Sequence, residues 1–297
     1  MLEILKKHYQ KDFIIDNNPT DDDYQWFQTD QSEIFGIHKK RLTKEETGLL
    51  TSLFTPFFIQ CSNVLSPQQN SWFQYLFHNG SLPAESKEND AVRFYYFFSK
   101  QPIEDIHSFE EAIIGLVSDP IILWINDNKA VLIEQNAPAM IDMENFIQLN
   151  DTFTSDFLVD SYFYIGQLHE KNDSLSVKFQ YEDEVFSTAK MSFKQQKVLS
   201  YFQSIAFLFP IYPERFPIDS LSDIFLESIQ DHELTHSILI YLDCNLNVSL
   251  AAKRLYMHRN SLQYRIDKFI ERSGVDIKHF KEAAAVFVMI TKVQHEL

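Results

Sequence analysis

Cysteine and glycine are scarce in this sequence: two cysteines, Cys61 and Cys244, and six glycines in 297 residues. Two cysteines far apart in the chain make neither a disulfide framework nor a thiolate zinc site. Both read as small apolar residues in a reducing compartment. Few glycines and only ten prolines exclude collagen-like, low-complexity and linker-dominated chains. No apolar run reaches the ~18 residues that a membrane span needs. The opening stretch, Met1 to Gln10, is charged and amphipathic and has no apolar signal-peptide core. The expectation is a cytoplasmic protein with no membrane partner. The phosphate-cradling patterns G-x-x-x-x-G-K-[ST] and G-x-G-x-x-G do not occur, nor do H-E-x-x-H and G-x-S-x-G. These absences lead us to expect no cofactor and no catalytic residue.

Apolar mass is abundant. The chain is 45% hydrophobic and has 27 Phe and 13 Tyr, enough for one large or two ordinary cores. The formal charge is −16, from 42 acidic and 26 basic residues, and a chain so acidic should be repelled by phosphate. Counting by segment changes that inference. From Asp231 to Leu297 nine Lys and Arg face eight Asp and Glu, a net of +1, which leaves −17 on the first 230 residues. Within Lys253 to Lys281 eight basic residues face three acidic ones, a net of +5. Such a patch is a footprint for a polyanion, or else an ordinary solvated helical surface.

The expected fold class is α+β and multidomain: a small N-terminal α/β unit, a central mixed-sheet domain and a C-terminal all-α domain. Residues 1–80 read as a small helical unit with a short strand pair. Asp21-Asp22-Asp23 is a solvated loop there, and Glu33 to His38 alternates like a strand. Thr43 with Glu46 forms a capping-box pattern, and Pro67 opens a second helix that Asn79-Gly80 closes. Residues 81–90, polar and without periodicity, read as a linker. Residues 91–210 read as a sheet covered by helices. Strands are expected at Val92–Phe98, Ile121–Ile125, Ala130–Ile133, Tyr162–Ile165 and Ser204–Phe209. Helices are expected at Ser108–Val117, Met140–Leu149 and Tyr181–Met191. Asn126-Asp127-Asn128 reads as a hairpin turn. Prolines at 210, 213 and 217 mark the next boundary, and 218–297 is helical.

The informative helix runs from Arg259 to Ser273, with Gly274 in the C′ position. Leu262, Ile266, Phe269 and Ile270 form one buried stripe. Arg259, Asn260, Ser261, Gln263, Tyr264 and Lys268 fall on the other side, with Arg265 at the flank. These residue types read base edges and hold phosphates. A short helix from Ser249 to Tyr256, with Ala251 and Ala252 for close packing, precedes it, and Asn247 or Ser249 can cap that helix. The pair has the layout of a helix-turn-helix, and a surface helix of a regulatory bundle is the alternative. His232 and His236, at i and i+4, have metal-ligand spacing or are simply solvated.

Asn247 to Phe269, N-V-S-L-A-A-K-R-L-Y-M-H-R-N-S-L-Q-Y-R-I-D-K-F, resembles the C-terminal helix-turn-helix of PucR/CdaR-type bacterial transcriptional regulators. The matching positions are Asn247, Ser249, Ala252, Leu255, His258, Arg259, Asn260, Ser261, Leu262, Tyr264 and Arg265. The resemblance implies a sequence-specific regulator that binds double-stranded promoter DNA as a homodimer, with the front domains for dimerisation and signal input. A small-molecule effector is left open. The DNA-binding set is then Ser249, His258, Arg259, Asn260, Ser261, Gln263, Tyr264, Arg265 and Lys268, with His258 at the entry to the recognition helix. The family also implies that residues 91–210 resemble a degenerate diguanylate cyclase (GGDEF) domain. An active cyclase of that kind needs a glycine pair and metal-binding acids at its hairpin. Asn126-Asp127-Asn128 lacks them, so no cyclase activity is expected. The alternative is a nucleotide-processing or nucleotide-sensing protein in which the C-terminal helices are regulatory.

Overall fold

A computed structural model describes residues 2–16, 23–29, 33–57, 65–78, 80–83, 91–156, 158–193 and 195–296. Asp21 and Asp22 of the acidic loop, Cys61, Asn79 and most of the expected linker (84–90) lie outside the described residues. The chain divides into two compact units. One is Met1–Gly80 with Trp124–Asp127, and the other is Ser81–Leu123 with Asn128–Leu297.

The first unit holds α1 (Leu2–Tyr9), β1 (Phe13–Ile15), β2 (Tyr24–Gln28), β3 (Ile34–His38), α2 (Lys44–Leu53), β4 (Thr55–Phe57) and α3 (Pro67–Phe77). Its strands form one antiparallel sheet in the order β1-β3-β2-β4. The expected short strand pair is thus a four-stranded sheet. Three-residue strands such as β1 and β4 are too short to show a period of two. Tyr9, Phe13, Phe27, Phe35, Ile37, Leu50 and Phe54 make its core. The Thr43–Glu46 capping box forms in both directions, and Ser66 with Gln69 forms a second one ahead of Pro67.

The second unit begins with β5 (Ala91–Ser99), α4 (Ile106–Ile114), β6 (Ile121–Asn126, of which Ile121–Leu123 fall in this unit), β7 (Lys129–Gln135), α5 (Met143–Asp156), β8 (Ser161–Glu170), α6 (Leu175–Ser192), β9 (Val198–Ser200) and α7 (Tyr201–Leu208). The five strands order as β6-β7-β5-β8-β9. β5 pairs antiparallel with β7 and β8, and β8 pairs parallel with β9. Both faces of β5 and β8 are buried, which is why their aromatic and apolar residues do not alternate with polar ones. One expectation fails outright: Ser204–Phe209 is helix, not strand. The last strand ends at Ser200, whose hydroxyl accepts from Gln203 N at 3.1 Å and caps α7. Tyr201, Phe202, Ile205 and Leu208 then face inward at helical spacing. A short apolar run is ambiguous by period, and the S-x-x-Q cap resolves it.

Five helices complete the unit: α8 (Asp223–Gln230), α9 (His232–Asp243), α10 (Val248–Arg254), α11 (Arg259–Ser273) and α12 (Phe280–Glu296). α12 packs along α7, and Gln203 Nε2 donates to Glu282 at 2.6 Å. Among the described residues no helix is long and apolar enough to cross a membrane.

Candidate nucleic-acid interface

α10 is short because both its ends are fixed. Asn247 Oδ1 accepts from Leu250 N at 3.0 Å and starts it. Tyr256, at φ +51°, turns the chain out of it. Ala251 and Ala252 are buried, so the α10 backbone can lie close to α11. α11 begins when His258 Nδ1 accepts from Asn260 N at 3.2 Å. For Nδ1 to accept, the ring proton must sit on Nε2, which makes His258 a cap and leaves Nε2–H to donate. The seam of α11 is the expected one: Leu262, Ile266, Phe269 and Ile270 are all buried. Gly274 ends the helix at φ +69°. A Cβ there would also stand 3.1 Å from the Ala139 carbonyl, a tight contact that adds to the strain of a side chain at positive φ and so favours glycine.

The expected site residues fall into two groups. Ser249, His258, Arg259, Asn260 and Ser261 are exposed, on the first turns of α10 and α11 and at the cap between them. Tyr264 stands out one turn further on, 68% exposed. Gln263 is half-buried and donates to Asp267 Oδ1 at 3.0 Å. Arg265 and Lys268 turn instead toward the start of α9. Arg265 Nη1 donates to Ser237 Oγ at 2.6 Å, and Nη2 lies 3.4 Å from Glu233 Oε1. Arg265 is therefore a strut between helices in this structure, where the sequence had placed it with the DNA contacts. Lys268 faces Asp231. The Leu234 N–H holds that carboxyl below its usual pKa range, and Lys268 and Arg272 add to the effect. A shallow groove of about 490 Å³ runs there, lined by Asp231, Glu233, Asn260, Tyr264, Arg265 and Lys268.

Internal pairing thins the cationic patch. Arg254 meets Asp243 at 3.7 Å, Arg272 meets Asp231 at 3.7 Å, and Lys278 meets Asp267 at 2.9 Å. The last pair offsets the acid most damaging to a phosphate contact on α11. Among the described residues Lys253, Arg259, Lys268 and Lys281 have no carboxylate within ion-pair distance, and their charges are the ones left to a polyanion. Two residues outside the expected set are also exposed here: Lys253, which the basic patch had counted, and Tyr256, 98% exposed in the turn before Arg259, for which the sequence carried no signal. His232 and His236 are both exposed on α9. Among the described residues no group of three or more His, Cys, Asp or Glu is placed to hold a metal ion.

Residues 234–291 match the PucR C-terminal helix-turn-helix domain, a span that runs from α9 into α12 and includes all of α10 and α11. In class the C-terminal module is a helix-turn-helix of PucR type, a kind of domain that suggests a DNA-binding transcriptional regulator. Over most of its length it is similar to the uncharacterized protein YxkF of Bacillus subtilis (strain 168), at 34% identity over 274 residues, 88% of each chain. It belongs to the YxkF family. A leucine-rich protein of Streptococcus dysgalactiae subsp. equisimilis is 23% identical over 274 residues, 91% of this chain and 93% of that one. The purine catabolism regulatory protein of Bacillus subtilis (strain 168) is 34% identical over 70 residues, 21% of this chain and 13% of that protein.

Proposed function

We propose that this protein regulates transcription in the cytoplasm by docking α11 in the major groove of specific promoter DNA. It acts as a homodimer, with the regions ahead of residue 218 supplying dimerisation and signal input. One observation carries the reading. The first turn of α11 offers Arg259, Asn260 and Ser261 to solvent, and Arg259 has no ion-pair partner among the described residues. Arg reads guanine bidentately, Asn reads adenine, and a helix N-terminus favours phosphate. In a two-fold dimer the recognition helices meet half-sites about 34 Å apart. The net of −17 on the first 230 residues supports a single docking face, because the rest of the chain is repelled by DNA. The reading includes no catalytic step. The Asn126-Asp127-Asn128 turn, without glycines or paired acids, supports a non-catalytic central region whatever its resemblance to a cyclase.

Genomic DNA pull-down with the purified protein, followed by sequencing, tests this. A few promoters sharing a two-fold-related motif should be enriched, and Arg259→Ala should lose them. On an isolated operator Arg259→Ala should cost about 1–3 kcal/mol and relax preference at one base position. Diffuse recovery unchanged by the substitution would overturn the reading. Lys268→Ala tests the phosphate side. It should weaken binding evenly across sequences and reduce the slope of log affinity on log salt by about one unit. An unchanged slope would mean that Lys268 serves only Asp231.

A further inference from the structure

Within the second unit, a cavity of about 680 Å³ lies between the sheet and the helix-turn-helix, a volume usual for small-molecule sites. Its walls come from β5, β8, the start of α5, the start of α7 and the end of α11. Arg93 of β5 lines it and is only 3% exposed. Nη1 donates to the Gly166 carbonyl at 3.1 Å, and Nη2 to the Pro138 and Ala139 carbonyls, each at 2.9 Å. These acceptors are neutral. Nε has no partner, and among the described residues no carboxylate lies within ion-pair distance. Glu134 and Glu182 act on Arg93 only at longer range. Their oxygens are already engaged by Tyr95 and Ser118, and by Gln167, His169 and Tyr96. A buried cation without an adjacent counter-charge is costly to keep for packing alone.

The remaining charged lining is mostly of the opposite sign: Asp142, Glu144, Asp276 and Glu282, with His279 beside Asp276 at 3.5 Å and apolar wall from Ile165, Leu168 and Phe202. A simple anion would meet four carboxylates, and a simple cation would meet Arg93. A molecule carrying both charges satisfies the whole lining. We propose that this cavity binds a small aminocarboxylate with an apolar side chain, its carboxylate on Arg93 and its ammonium among the acidic residues. The site also touches the end of the recognition helix. Gly274 lines the cavity, and a Cβ on it would lie 3.1 Å from the Ala139 carbonyl that Arg93 holds and 3.5 Å from Arg93 Nη2. A carboxylate that draws on Arg93 therefore acts on the loop packed against that helix end, and occupancy alters DNA affinity. This second half rests on the DNA-binding reading above.

Isothermal titration calorimetry on the full chain tests the site, with L-leucine, L-methionine, L-phenylalanine and the dipeptide Leu-Phe as probes. At least one should bind with one-to-one stoichiometry. Removing either its amino or its carboxylate group should weaken it by about tenfold or more. Met140→Trp changes a half-exposed lining residue and should abolish binding with the melting temperature unchanged. Arg93→Met should do the same, scored only if it melts as the parent does. Silence from every probe at ~10 mM, undiminished binding by Met140→Trp, or equal binding of a singly charged analogue would each overturn the proposal. Fluorescence anisotropy with a recovered promoter fragment then tests the coupling. A saturating probe should change the DNA Kd by about fivefold or more. An unchanged Kd with calorimetric binding intact overturns the coupling alone. Failure to bind any DNA with calorimetric binding intact overturns the DNA reading and leaves the site standing.

Discussion

Gly166→Ala should destabilise the second unit by about 3 kcal/mol or more, enough to lower the melting temperature by at least ~6 °C. A Cβ at position 166 would stand 2.2 Å from Glu182 Oε2 and 2.8 Å from the Phe94 carbonyl oxygen. The carbonyl belongs to the central strand and cannot retreat. The carboxylate is fully buried and accepts from Gln167 N at 2.7 Å, His169 Nε2 at 2.9 Å and Tyr96 OH at 3.1 Å. Moving it breaks those bonds in a place where water cannot replace them. Far-UV circular dichroism melts of the purified chain read the effect. Glu182→Ala removes the side chain that clashes, so the two substitutions together should cost less than the sum of each alone. A melt within ~2 °C of the parent would show that the strand can shift to make room.

The sequence was most legible where function depends on neighbours along one helix. The stripe Leu262, Ile266, Phe269 and Ile270 and the stop at Gly274 follow from local spacing and have their expected places, and of the two caps offered, Asn247 and Ser249, the structure uses Asn247. The exposed turn Arg259-Asn260-Ser261 follows from the same stripe by exclusion. Pairings between distant residues were not legible. Arg265 looks like its neighbours on a helical wheel, and only the packing of α9 on α11 brings Ser237 to it. Lys278 meets Asp267 through the turn after Gly274, and that pairing decides how much positive charge remains. Arg93 lies in an aromatic strand whose sequence gives no hint of a cavity. The failed strand at Ser204–Phe209 has the same origin. Its apolar run fits either period, and the decisive cap lies outside the run.

Phe269→Ala should cost about 3–5 kcal/mol of stability, with DNA binding lost only as the fold is lost. Phe269 is fully buried and belongs to the seam that joins α11 to the rest of its module. Arg259→Ala should behave in the opposite way, with a melt within about 0.5 kcal/mol of the parent and a weakened operator complex. Arg259 is exposed and has no ion-pair partner among the described residues, so nothing in the fold depends on it. Urea melts give the two stabilities. Operator affinity well below each variant's unfolding midpoint gives the binding of what remains folded. If folded Phe269→Ala binds as weakly as Arg259→Ala, the seam sets the aim of the recognition helix as well as its stability. If Arg259→Ala melts early, its guanidinium has a partner within the fold and cannot be a free reader of DNA. Separate outcomes for the two variants would place the functional chemistry on the outer face of α11 and the structural chemistry on the inner one. That division is what lets such a helix change its surface residues without losing its place in the core.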